Sequence, residues 1–401
     1  MSARHILFVE TEGDTLQTLM RGLAGSHDDW RIVRIGEADA ALEVLSQRVF
    51  CVVMANFGAK QGDCENFLRK VRNLAPAVMR FALLPDNAGA DGSIELASAC
   101  QCFPAHCPPN EIAVAISRGI DVWLECRENA RLTNLLADLD NIPTPPRLYF
   151  DIREELNSSN SDARSIAAII SSDPSISAKI LKVANSGFYA VPRSVTEMRD
   201  AITFLGVDTV LTLVLAAHVF KRLPVPGVNL DALWQHSLTV SAMAQQIVVQ
   251  EGGDRLTVNT AGVAGLLHDI GELIMLANVP DIYYPMIRRF AGDEDARLAM
   301  ELEHFGVTHA QLGSYVLSLW SLPDAVVEAV ALHHDVSRHA GDTASLTNKA
   351  VFAAERFLQE ESSEYQETEF HDRELESCLG STQEQIRHWR EACVQRLAKT
   401  L

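Results

Sequence analysis

Over the first 120 or so residues, short apolar runs alternate with stretches of helical spacing. Ile6–Val9, Arg31–Ile35, Cys51–Met54, Arg80–Leu84 and Gln101–Phe103 read as strands. Thr15–Leu23, Ala38–Ser46, Cys64–Arg72, Ser93–Ala99 and the run from Asn110 read as helices. Five strands, each followed by a helix, predict a small α/β domain with a parallel sheet covered on both faces. From Asn110 to Leu139 the apolar positions Ile112, Ile116, Ile120, Trp123, Leu132, Leu135, Leu136 and Leu139 recur at three- and four-residue steps without an internal proline. This predicts one connecting helix, a candidate dimer seam, stopped by Pro143, Pro145 and Pro146. Beyond Pro146 strand-like alternation ends, and helical runs broken by Gly, Pro or Asn predict an all-α domain over residues 147–360. Residues 361–401 open as an acidic segment and close as an amphipathic helix with Ile386, Trp389, Cys393, Val394 and Leu397 on its apolar face, which predicts a docking helix.

Composition narrows the class. The chain has 401 residues, 47% hydrophobic and 22% charged, enough for two or three packed domains. Its 34 Lys+Arg against 53 Asp+Glu leave a net charge of −19, which argues against a broad electrostatic grip on nucleic acid or an anionic membrane. No run reaches the roughly 18 apolar residues of a membrane span, and the first residues pass directly into a strand-like run without a signal-peptide core. A cytoplasmic location is therefore expected. The eight cysteines lack paired CxxC spacing and read as small apolar residues. The cluster Cys100, Cys102 and Cys107 is the one alternative metal or redox candidate.

The order and lengths of the N-terminal elements resemble the receiver domain of bacterial response regulators, and CVVMANFGAKQGDCENFLRKVR resembles its third strand, loop and third helix. Receivers use clustered acids to hold Mg²⁺ and a third-strand aspartate as nucleophile. On this resemblance the phosphoacceptor position holds Asn56, whose amide cannot act as that nucleophile. The acidic pair is Glu10 with Thr11, the switch hydroxyl is Leu84, and the charge-neutralising lysine is Ala105. Residues 1–118 thus resemble a pseudo-receiver in a two-component lineage, with 119–146 as connecting helix and Pro-rich linker.

The helical region resembles the HDOD domain, a bacterial signalling module related to the HD and HD-GYP phosphohydrolases. The resemblance rests on NIPTPPRLYFDIREEL, IISSDPSISAKILKVANSGFY, AITFLGVDTV, LWQHSLTV, AGLLHDIGEL, THAQLGSYVLSLWSLPDAVVEAVALHH and VFAAERF. By that likeness His236, His268 and Asp269 match the core metal ligands of the HD superfamily, and His309, His333 and His334 match additional ones. Glu355 stands where an aspartate is usual. A divalent ion (Fe, Mn, Zn or Mg) is what the resemblance implies, because imidazoles and a carboxylate converging from neighbouring positions suit such ions. Taken alone, His268–Asp269 is equally an N–H···carboxylate structural pair. Ser171–Pro174, Asn185–Gly187 and Leu205–Gly206, prominent in the family, read here as caps and helix stops.

Two departures weigh against catalysis. Glu272 follows the HDIG run where a phosphate-binding lysine is usual, and no GYP-type stretch follows His334. The leading expectation is a signal-transduction protein, its phosphorylation-incompetent receiver coupled to an HDOD module that binds a protein partner or a nucleotide second messenger, with a homodimer as its assembly and no catalytic residue assigned. The alternative is a metal-dependent phosphohydrolase acting on a nucleotide or cyclic dinucleotide.

Overall fold

The computed structural model describes residues 4–11, 19, 29–58, 60–85, 96–140, 142–185, 195–222, 228–335, 345–362, 375–376 and 378–398. Five strands, β1 (Arg4–Glu10), β2 (Trp30–Ile35), β3 (Val52–Asn56), β4 (Met79–Leu84) and β5 (Gln101–Pro104), occupy the places the apolar runs predict. They form a wholly parallel sheet in the order β2-β1-β3-β4-β5. That is the flavodoxin-like doubly wound order, which leaves a crevice at the carboxyl ends of β1 and β3 where the direction of winding reverses. Alternate residues of each strand feed different cores. Leu7, Val9, Val53 and Ala55 pack with Phe67, Leu68 and Val71 of the helix Gln61–Leu74. Ile6, Phe8, Val52 and Met54 pack with Ile112, Ile116 and Ile120 of the helix Pro109–Glu128. Apart from Leu19, the expected helix Thr15–Leu23 lies outside the described residues; of Ser93–Ala99, residues 93–95 lie outside them and 97–98 form a turn.

The single helix expected from Asn110 to Leu139 is two, Pro109–Glu128 and Ala130–Asp138. Asn129 leaves the helical region of backbone space, and its Oδ1 accepts from Leu132 N at 3.0 Å, capping the second helix. Its Nδ2 donates to Gly306 O at 2.7 Å, tying the break to the helical domain. An Asn at this position can satisfy the N–H groups of a new helix start, and its contact with Gly306 lies too far along the sequence for local pattern to reveal. All eight apolar positions proposed for a dimer seam are buried within the chain itself.

The sheet side and the helical side share one continuous apolar core. Arg118, on the helix that covers the sheet, donates to Ser318 O (3.3 Å) and pairs with Asp324 (2.8 Å). Trp320 Nε1 donates to Pro143 O at 3.1 Å. In the helical region Asp173 caps its helix by accepting from Ser175 N and Ile176 N, as the sequence pattern predicts. The helices Leu230–Gln250, Arg255–Leu267 and Leu346–Ser362 form the centre. The stretch Arg255–Asn278 is long and apolar enough to cross a membrane by length and composition, yet 83% of its apolar segment is buried inside the protein. The C-terminal helix Gln383–Ala398 docks on Leu230–Gln250, with Ile386, Trp389 and Cys393 buried and Trp389 Nε1 donating to Glu251 Oε1 at 2.6 Å.

Candidate metal centre

His268 and Asp269 sit at the junction of two successive helices, Arg255–Leu267 and Ile270–Asn278, rather than within one. The junction is pressed against the helix His309–Leu319. A Cβ built on Gly271 would lie 1.9 Å from His309 O and 2.8 Å from Gly313 N, a separation atoms cannot tolerate. Only glycine lets these backbones approach so closely. That contact carries Asp269 up to His309. His236 comes from the helix Leu230–Gln250, Glu355 from Leu346–Ser362, and His333–His334 from the turn after the helix Asp324–Ala331.

All seven positions singled out in the helical domain meet in one place. Asp269 lies at its centre, and its two oxygens face different partners. Oδ2 is 3.0 Å from His268 Nε2 and 3.5 Å from His236 Nε2. Oδ1 is 3.4 Å from His333 Nε2 and 3.6 Å from His309 Nε2. Glu355 Oε2 approaches the first pair, 3.1 Å from His236 Nε2 and 3.3 Å from His268 Nε2. His334 Nε2 joins the second, 3.0 Å from His309 Nε2. Two groups suited to an ion result, His236–His268–Asp269 and Asp269–His309–His333–His334.

Hydrogen bonds behind the rings fix which nitrogen faces inward. His268 Nδ1 meets Gly265 O at 2.8 Å and His333 Nδ1 meets Val330 O at 2.7 Å. A carbonyl oxygen only accepts, so each Nδ1 carries the proton and each Nε2 offers a lone pair to the centre. His309 Nδ1 is held by Glu301 at 2.9–3.0 Å, and Tyr283 Oη donates to the same carboxylate at 2.7 Å. His333 Nε2 and Glu355 Oε2 are buried without a hydrogen bond of good geometry. Buried polar atoms in native proteins are otherwise nearly always satisfied. Converging lone pairs and orphaned acceptors of this type are what a divalent ion satisfies, so the residues fit a metal.

Without an ion, protons perform that task. Burial works against charge on His236, but the Asp269 and Glu355 carboxylates beside it outweigh it and hold the imidazole up at about 9. Burial likewise opposes charge on His309, and Glu301 chiefly reverses it, to about 10. Asp269 and Glu355 are also deeply buried, which alone would raise them, yet the surrounding imidazoles hold both carboxyls below the ordinary range. Burial and the neighbouring imidazoles push His333 and His334 down. Because the folded pKa values of His236 and His309 are raised, their contribution to metal-free stability is complete below about 6.5 and is lost as pH rises through about 9 and 10. Metal must displace the same protons, so its affinity should rise between pH 6 and 8 by roughly tenfold per pH unit for each proton displaced. Isothermal titration of chelator-treated protein with Zn²⁺ or Mn²⁺ in buffers of different ionisation heat measures both the affinity and the protons released.

Three surrounding groups escape the sequence reading: Glu301, Glu294 and Arg297. Arg297 donates to Glu272 at 2.5 Å and to Glu294 at 2.6 Å, and Glu294 lies 3.4 Å from His334 Nε2. Glu272, expected to repel an anion, is thus neutralised by a buried arginine. The segment EDARLAMELEHF looks like a solvated helix by composition; the signal available in it is Glu301, eight residues before His309 and meeting it across the left-handed turn at Gly306.

At the far end of the chain, Glu10 lies opposite Asn56 in register at the carboxyl edge of the sheet. Asn56 Nδ2 donates to Glu10 Oε1 at 3.0 Å, and Arg34 pairs with Glu10 Oε2 at 3.0 Å. Asn56 Oδ1 accepts from Gly58 N at 3.1 Å. Thr11 follows β1, Leu84 ends β4 and Ala105 sits in the turn after β5, all at the same edge of the sheet. A guanidinium–carboxylate–amide chain thus runs along this edge. The described cysteines form no disulfide and all but Cys378 are buried, with burial pushing Cys64 and Cys126 up to about 12.

Fold and site together define a parallel α/β module fused to a helical domain with a buried histidine–carboxylate cluster. The HDOD family profile matches residues 142–336, and that stretch is an HDOD domain. An HDOD domain protein of unknown function from Geobacter sulfurreducens superposes with a TM-score of 0.53 at 22% identity, covering 69% of this chain and 98% of its own. A Shewanella amazonensis protein provisionally named a phosphohydrolase superposes at 0.51 with 23% identity, covering 68% and 99%. At such identities the likeness is one of fold. An uncharacterized protein of Treponema pallidum is 21% identical over 241 residues, 60% of this chain and 46% of that one, so the chain spans about half the length of this curated relative.

Proposed function

We propose that the chain is a signal-transduction protein in which a receiver-like module that takes no phosphate is fused to a metal-loaded HDOD module. The observation that carries this reading is the convergence of His236, His268, Asp269, His309, His333, His334 and Glu355, with the inward-facing nitrogens of His268, His309 and His333 set by backing hydrogen bonds. Iron, manganese or zinc suits this imidazole-rich set better than magnesium. At the sheet edge, Arg34 and Asn56 already engage the Glu10 carboxylate, which leaves the module to communicate through contact. The core shared by the two modules and the Arg118 contacts supply a route for that communication.

Phosphoester hydrolysis, on a nucleotide or cyclic dinucleotide, is a second reading, favoured by the position of Asp269 in both ligand groups. Paired ions would supply Lewis-acid polarisation and an activated water there. Asp269 would hold the two sites in register, His309 would be steadied by Glu301, and Arg297 would place positive charge beside the centre. Turnover of a phosphodiester panel by protein purified without chelator, with Mn²⁺ or Fe²⁺ added, separates the readings. Bound metal without turnover supports the regulatory role, turnover abolished by Asp269→Ala supports hydrolysis, and absence of metal overturns both.

The receiver-like reading has its own test. Incubation with a small phosphodonor should leave no acid-labile phosphate on the chain. Asn56→Asp should not restore it and should cost about 1–3 kcal/mol in chemical denaturation, because it exchanges a buried N–H···O bond to Glu10 for a second carboxylate. Robust phosphorylation of the unaltered chain would contradict this reading.

A further inference from the structure

A cavity of about 150 Å³ opens beside the helix Leu230–Gln250, which carries His236. Its walls are Lys179 and Lys182 from the helix Pro174–Ala184, Phe220, and Leu230, Trp234 and Leu238 from the helix Leu230–Gln250. In a chain with net charge −19, two lysines at i and i+3 facing one cavity are a local reversal of sign. Lys221 adds a third positive charge near Lys179. Among the described residues no carboxylate lies within ion-pair range of Lys179 or Lys182; Asp231 lines the cavity and offsets their charge only from farther away.

Lys179 is half-buried and its ammonium makes one hydrogen bond, to Ala217 O at 3.3 Å, while resting 5.8 Å from the Trp234 ring centre. An ammonium has three donors, so two remain for a ligand. Desolvation pushes Lys179 down from its ordinary value, a cost that a bound anion would offset. The remaining wall is aromatic and aliphatic. Trp234 meets Phe220 edge-on, with centroids 5.0 Å apart. Paired cations beside such a wall are complementary to a small molecule that is anionic at one end and flat and apolar at the other.

We propose that this cavity binds a nucleotide, with Lys179 and Lys182 taking the phosphate and the Trp234–Phe220 wall taking the base. The proposal deepens the signalling reading but does not need the metal centre to be loaded. Phe220 also lines a small apolar cavity that reaches Asp269 and Glu272, which places one wall of this site near the metal centre.

The test is titration of full-length protein, stripped of metal by a chelator, with GMP, AMP and inorganic phosphate, read by calorimetry and tryptophan fluorescence. A nucleotide should bind more tightly than inorganic phosphate and change the Trp234 emission. Lys182→Met, at an exposed position, should weaken binding several-fold, Lys179→Met at least tenfold, and Asp269→Ala should leave it unchanged. Thermal melts establish that the variants remain folded. Absence of nucleotide binding, equal affinity for inorganic phosphate, or binding insensitive to Lys182→Met would overturn the proposal. Loss of binding in Asp269→Ala would instead place the ligand at the metal centre and overturn it as well.

Discussion

Asp269→Ala should remove metal from both halves of the centre at once, whereas losing any single histidine should weaken chiefly one. The two oxygens of Asp269 address different imidazole groups, Oδ2 the His236–His268 pair and Oδ1 the His309–His333 pair. No other side chain among the described residues belongs to both groups. The affinity loss should exceed the 10–100-fold typical of removing a partner that only orients a ligand. The same change deletes the anion that supports protonated His236 and His268 in the metal-free protein. Breaking a buried charge pair costs roughly 3–5 kcal/mol when the surviving charge has nowhere to go, but an imidazole can release its proton, so the measured loss should be smaller near neutral pH. Asp269→Asn keeps the shape and removes the charge. If it also loses both ions while retaining the melting temperature of metal-free wild type, the effect is ligation and not packing. Metal content by elemental analysis and thermal melts with and without chelator read both quantities.

Gly271→Ala should be the most damaging single methyl group in the helical domain. The added carbon would collide with the backbone of His309 and Gly313 and not with the end of a mobile side chain, so relief requires the two helices to separate. Overpacking of this type costs roughly 1–3 kcal/mol, and the upper end applies when backbone must shift. Because the same contact sets the distance between Asp269 and His309, metal affinity should fall together with stability. Denaturant titration and metal titration of one preparation test the coupling. A variant that loses stability but binds both ions normally would show that the crossing does not position the site.

How much of this was legible beforehand differs by element. The parallel sheet was, because runs such as Ile6–Val9 and Cys51–Met54 carry both the length and the burial of double-faced strands. The seven candidate ligand positions follow from resemblance to a family, since no local spacing links His236 to Glu355. Their convergence depends on helix crossings that lie far apart in sequence. Arg297 was hidden because a charged helix surface and a buried ion-pair network have the same composition; only the packing of Glu294–Phe305 against the site distinguishes them. The break at Asn129 shows the opposite limit. The apolar period continues across it and predicts one helix, whereas the break is held by the Asn129 cap on Leu132 N and by Gly306, brought close by the fold.

The most direct test of the account is a crystal of protein purified without chelator, with anomalous-difference maps collected at the absorption edges of iron, manganese and zinc. Two peaks sharing Asp269, one reached by His236 and His268 and the other by His309, His333 and His334, are the predicted result. A map without peaks, with the imidazole nitrogens still in direct contact with one another and with Glu355, would contradict it.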